Sequence, residues 1–111
     1  MLKRSFTAVI ERNIQFKGKL VSEPYETCWA TEARWFVNVL EADKDIDLQI
    51  SSEISPDGLT WCAHETGPVG RKGPGLVSLP LRFLSPWQRL ILNTNDNSRP
   101  IKVIVYLTLH E

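Results

Sequence analysis

The sequence predicts an all-β fold: an antiparallel β-sandwich of jelly-roll-like form, with about eight strands in one unit spanning residues 1–111. Three observations predict it. Ile101, Val103, Val105, Leu107 and Leu109 fall on one face of a two-residue repeat, with Lys102, Tyr106, Thr108 and His110 on the other. The same period recurs at Ile46, Leu48 and Ile50, opposed by Asp45, Asp47 and Gln49. Gly, Pro, Asn and Asp punctuate the whole chain at short spacing, with no repeat and no low-complexity linker.

In chain order, residues 6–10 and 14–21 read as two strands. Residues 34–40 admit two readings, because Ala33, Phe36, Val37 and Leu40 also satisfy helical spacing and Thr31-Glu32-Ala33-Arg34 resembles a helix start. The β-branched and aromatic density of Trp35-Phe36-Val37-Asn38-Val39 favours a strand. After the strand at 46–50, Ser55-Pro56-Asp57-Gly58 forms a turn and 60–64 returns as the second arm of a hairpin. Residues 67–75 hold four Gly and two Pro, which deny both ladders and helical turns, so a long mobile loop is expected there. Strands at 76–81, 87–93 and 101–109 complete the set.

Size makes such a core attainable. A chain of 111 residues has roughly 6,200 Å² of folded surface against roughly 18,400 Å² unfolded, so neither a metal nor a disulfide staple is required. Thirteen Lys and Arg balance thirteen Asp and Glu. That neutrality removes the phosphate attraction on which bulk nucleic-acid binding depends. No apolar run approaches the length of a membrane span, and the start Met1-Leu2-Lys3-Arg4-Ser5-Phe6 lacks the apolar core of a signal peptide. Cys28 and Cys62 read as buried small hydrophobes in a reducing compartment rather than as a disulfide.

Chemistry-bearing patterns are sparse. Gly70-Arg71-Lys72-Gly73 has the form of a GXXG clamp, but that clamp works between helices and both flanks here read as strand. Asp43-Lys44-Asp45-Ile46-Asp47 imitates the opening of a calcium loop, yet Leu48 and Ile54 stand where Gly and a bidentate Glu are needed. Side chains in 93–98 cap their own backbone in tight turns more readily than they hold calcium. Cys28, Cys62, His64 and His110 match no zinc spacing, so no metal and no cofactor is implied. Cys62 and His64 share a strand face, which places a thiol near an imidazole without completing a catalytic set, and the protein is expected not to be an enzyme.

Four Trp distinguish the composition. Trp35 and Trp61 read as core anchors. Trp29, in the connection Tyr25-Glu26-Thr27-Cys28-Trp29-Ala30, and Trp87, which follows Ser85-Pro86 at the start of a strand, are the contact candidates. Val69, Arg71 and Lys72, in the expected loop, join them because loops on a rigid scaffold commonly carry binding.

The stretch 45–61, in which an alternating strand runs into Ser55-Pro56-Asp57-Gly58 and then Trp61, resembles small all-β proteins of phage and phage-like particles. The resemblance continues through Leu90-Ile91-Leu92 and the terminal strand, covering roughly residues 34–109. It implies a non-enzymatic decoration, head or tail-associated subunit, virion-borne or cytoplasmic, whose partners are copies of itself in a trimer or larger ring and a capsid, shell or tail protein. The alternative is a carbohydrate-binding module, in which Trp rings stack on a glycan.

Overall fold

The computed structural model describes residues 3–111; Met1 and Leu2, at the head of the basic N-terminal stretch, lie outside the described residues. Ten strands follow in order: β1 (Ser5–Phe16), β2 (Lys19–Val21), β3 (Tyr25–Glu26), β4 (Glu32–Glu41), β5 (Asp47–Ser55), β6 (Cys62–Ala63), β7 (Val69–Lys72), β8 (Gly75–Arg82), β9 (Trp87–Thr94) and β10 (Ile101–His110). They occupy eight lanes in two antiparallel sheets. One sheet has the order β1-β10-β4-β8. In the other, β9 and β5 are central; β2 and β3 share the lane beside β9, and β6 and β7 share the lane beside β5.

This order is that of a jelly roll. Numbering the lanes along the chain, the first pairs with the eighth, the second with the seventh, the third with the sixth and the fourth with the fifth. A long folded-back ribbon of that kind, wound so that β10 also meets β4 and β9 also meets β5, closes two Greek keys around one core. Trp35, Val37, Leu79, Leu81, Val103, Val105 and Leu107 from the first sheet meet Leu48, Ile50, Leu90 and Leu92 from the second. At the centre the indole N–H of Trp35 donates to Ser52 Oγ at 3.0 Å, and Ser52 in turn donates to Gln88 Oε1 at 3.2 Å. The accessible surface is 6375 Å², as size scaling requires.

Several expectations are corrected. The first two strands are not 6–10 and 14–21 but one strand running to Phe16, with register shifts at Val9/Glu11 and Glu11/Ile14. These bulges absorb the polar run Glu11-Arg12-Asn13, with Asn13 at positive φ, so the apolar period resumes without a chain break. A turn at Gly18 then sends β2 into the opposite sheet. Residues 67–75 are not one loop. Pro68 lies just outside the ladder, Gly70 is tolerated on an edge, and Val69–Lys72 pairs with Asp47–Ile50. The hairpin's return arm is shorter than 60–64, being only Cys62–Ala63. Residues 34–40 are strand; burial of Ala33, Trp35, Val37 and Val39 follows a period of two.

Cys28 and Cys62 are both exposed and free, not buried. Each sits on an outer lane, beside β3 and in β6, with β9 and β5 between them. Trp61 is half-buried rather than a core anchor. Arg89 lays its guanidinium over the Trp61 ring at 4.2 Å while pairing with Glu53 at 2.7 Å.

Candidate interaction surface

The sheets are joined at two ends that differ in what they present. The row Glu26, Trp87, Ser55 in one sheet and the row Ser5, His110, Glu32, Arg82 in the other mark the first end. Three connections gather there: 27–31, 56–61 and 83–86.

Each connection is held by hydrogen bonds that its own sequence supplies. In Ser55-Pro56-Asp57-Gly58, Ser55 Oγ accepts from the N–H of Gly58 at 2.8 Å, and Asp57 Oδ1 accepts from the N–H groups of Leu59 and Thr60 at 2.9 Å each. Those N–H groups hold the Asp57 carboxyl below the usual carboxylate range. Gly58 has φ of 80°, and the Trp87 ring packs so closely over it that a Cβ there would lie 3.4 Å from the indole. The 83–86 connection is pinned at both ends. Thr27 Oγ1 donates to the Ser85 carbonyl at 2.6 Å and Thr27 N–H to that of Pro86 at 2.8 Å. His64 grips the other side: Thr66 N–H donates to Nδ1 at 3.0 Å, which places the ring proton on Nε2 for donation to the Arg82 carbonyl at 2.7 Å.

These rigid connections carry apolar side chains into solvent. Leu59 is 85% exposed and Phe83 is 82% exposed. Phe83 has φ of 55°, a left-handed conformation that a bulky residue adopts only when its surroundings impose it. Beside them Arg4 stands over the Trp29 ring at 4.6 Å and is fixed there by Glu111 at 2.9 Å. Lys3, Arg4, Ser5, Phe6, Tyr25 and Trp29 enclose an open recess of about 610 Å³.

The opposite end is built from charge. The acidic turn after β4 and the turn before β10, read separately in the sequence as imitations of calcium sites, lie side by side with Arg99 between them. Its guanidinium meets Asp43 at 3.1 Å, both oxygens of Asp45 at 2.8 and 3.1 Å, and Asp96 at 2.6 Å. An arginine thus occupies the point on which the carboxylates converge. Arg99 holds Asp45 below the usual carboxylate range, and the hydroxyl and N–H of Ser98, with Arg99, push Asp96 lower still.

The five contact candidates therefore divide. Trp29 and Trp87 share the first end. Val69, Arg71 and Lys72 lie in β7, opposite Asp47–Ile50; Ile50 is five residues along β5 from Ser55, the neighbour of Trp87, a separation of about 17 Å. Val69 packs on the core, Arg71 clasps the carbonyls of Pro74 and Leu76, and Lys72 stands 3.8 Å from Asp47. Cys62 and His64 do not cooperate: Cys62 is exposed, while His64 is buried with both nitrogens engaged. Sequence reasoning missed Phe83, whose backbone conformation leaves no trace in composition. Leu59 did leave one, an aliphatic residue at the tip of a polar turn.

No protein-family model matches the sequence, and no curated protein matches it. Solved structures share the fold. The chain is similar to the crystal structure of the SPBc2 prophage-derived protein YomS, with a TM-score of 0.66 and 5% identity over 100% of this chain and 96% of that one. Similarity to the PBSX exported protein XepA has a TM-score of 0.70 and 9% identity, covering 94% of this chain and 36% of that one. A third match is the structure of infectious bursal disease virus, Gt strain, with a TM-score of 0.62 and 9% identity over 97% of this chain and 32% of that one. This chain thus spans about a third of the latter two. At these identities the likeness is one of fold, and the likeness to small all-β proteins of phage origin holds at that level.

Proposed function

We propose that this protein is a non-enzymatic structural subunit of a phage-type particle, associated with the virion, which self-associates and docks through the end that carries Phe83 and Leu59. Phe83 carries the reading. A surface aromatic held in a strained backbone conformation, on a connection pinned by His64 and Thr27, has ordering cost already met before any contact forms. It suits an anchor for a neighbouring subunit, with the half-buried Trp29 and Trp87 forming the packed surround. The jelly-roll likeness to a prophage-derived protein and to a virus structure supports the same class. A glycan platform fits less well, because Arg4 takes a face of Trp29, Arg89 a face of Trp61, and Trp87 lies against Gly58.

The test is the assembly state. Light scattering on the purified protein is expected to show a species larger than one chain. A Leu59→Ser, Phe83→Ser double variant, folded by circular dichroism, is expected to lose that association or part of it. An unchanged mass in the double variant, or a strict monomer for the native protein, contradicts the reading.

A further inference from the structure

We infer that the outer face of the β1-β10-β4-β8 sheet is an isologous interface with a second copy of this chain, with β10 of one copy lying over β4 of the other. This rests on the self-association proposed above and names a second surface for it. Alternation sets the face. Val105 and Leu107 point inward with no exposure, as do Trp35 and Val37, so Ile104, Tyr106, Phe36 and Asn38 point outward. The register places Val9, Tyr106, Phe36 and Ser78 in one row across all four strands, and Ile104, Asn38 and Leu76 in the next. Val9 and Leu76 are exposed at 41% and 55%. The centre of this sheet therefore shows solvent an apolar patch where an antiparallel sheet normally turns its polar side.

Charge says what covers it. The rows beyond the patch carry Lys102 beside Glu41 on one side; on the other come first Thr108 beside Arg34, whose guanidinium donates to Ser78 at 2.9 Å, and then His110 beside Glu32. A two-fold axis running along the strands between β10 and β4 sets each residue of β10 over the β4 residue it neighbours in its own sheet, now supplied by the second copy. Tyr106 then faces Phe36, Lys102 faces Glu41 and His110 faces Glu32, each twice. Aligned sheets cross at about 30°, which displaces the outer rows by about one strand spacing, within reach of Lys and Glu side chains. Four lanes about 4.8 Å apart and, from the Lys102 row to the His110 row, about nine residues long give a face of roughly 570 Å². Two such faces bury about 1,140 Å² before side-chain relief is counted, close to the lower end of specific interfaces.

The experiment uses the full chain carrying Leu59→Ser and Phe83→Ser, so that the loop end is silent. Light scattering is expected to give twice the chain mass, and adding Phe36→Glu with Tyr106→Glu is expected to give a single chain mass, with unchanged circular dichroism. Lys102→Glu is expected to weaken the dimer at least tenfold, and Glu41→Lys in the same chain to restore it. A single chain mass before the sheet substitutions, or a dimer that survives Phe36→Glu and Tyr106→Glu, overturns the inference. Either result leaves the loop-end docking to its own test, since loss of association on silencing Phe83 and Leu59 is read against the native protein. Should the sheet variants not fold, thiol crosslinking between Lys102→Cys and Glu41→Cys chains, both also carrying Cys28→Ser and Cys62→Ser to remove the exposed native thiols, decides: an intermolecular product supports the interface, and its absence overturns it.

Discussion

The two ends of the sandwich solve the same problem, closing short connections between sheets, by opposite means. At one end hydrogen bonds between side chains and backbone groups, made by Thr27, His64 and Asp57, do the fixing, and the tips they fix are Phe83 and Leu59. At the other a single guanidinium gathers three carboxylates, and the tips are charged. Bonds made inside the connection leave its tip free to be apolar, whereas a surface ion cluster makes the tip itself polar and screened by salt. The first arrangement suits contact with another protein. The second suits solvent.

The largest effect follows from removing the buried clamp of the apolar end. His64→Ala deletes an almost fully enclosed ring, leaves the Arg82 carbonyl and Thr66 N–H without their partners, and opens a cavity. A loss of about 2–4 kcal/mol is expected, or about 10–20 °C in Tm for a chain of this size. Amide exchange is expected to quicken first in 82–86. A loss under about 1 kcal/mol means that Thr27 alone holds the connection.

A smaller effect of the opposite sign is expected at Phe83. Its ring is largely in water, so Phe83→Asn sacrifices little burial, while Asn accepts the left-handed conformation far more readily. Denaturant titration is expected to show a gain of about 0.5–1 kcal/mol together with weakened self-association. A variant that is both less stable and still associated shows that Phe83 serves the fold rather than a contact.

How much of this was legible in the sequence depends on the range of the interaction that decides each feature. Period-two runs at 46–50 and 101–109 announced their strands because burial on one face acts residue by residue. The jelly-roll order, the shared lanes of β2 with β3 and β6 with β7, and the strand at Val69–Lys72 depend on which distant edge accepts each segment, and Gly and Pro content misled there. Trp29 and Trp87 were singled out as contact candidates by their places in a connection and at a strand entry, and the fold brings both to one end. Phe83 was not found, because strain belongs to backbone angles. Ile104 broke the polar alternation of the last strand in plain view, but its significance emerges only beside Phe36, which a register of distant strands supplies.

The smallest effect belongs to the charged end and separates its mechanism from that of the apolar end. Arg99→Gln removes the first cause of the lowered Asp45 pKa and a lesser cause of the lowered Asp96 pKa, where Ser98 leads. Because both carboxyls titrate lower in the folded chain than in the unfolded one, their contribution is complete above the ordinary carboxylate range near pH 4 and is lost as pH falls through the folded values. The variant is therefore expected to be slightly less stable than the native protein at pH 7, and the gap is expected to close under acid and in about 1 M salt. Asp57 gives the internal contrast, since backbone N–H groups lower it rather than a counter-charge. Its acid-labile contribution persists in Arg99→Gln, so the variant continues to lose stability below about pH 4, and a Asp57→Asn variant is expected to flatten that remaining slope. Denaturant midpoints at pH 7 and at low pH, with and without salt, measure all four corners. A gap between native and Arg99→Gln that ignores both pH and salt assigns the role of Arg99 to the packing of its aliphatic stem, and the charged end then differs from the apolar end in surface alone.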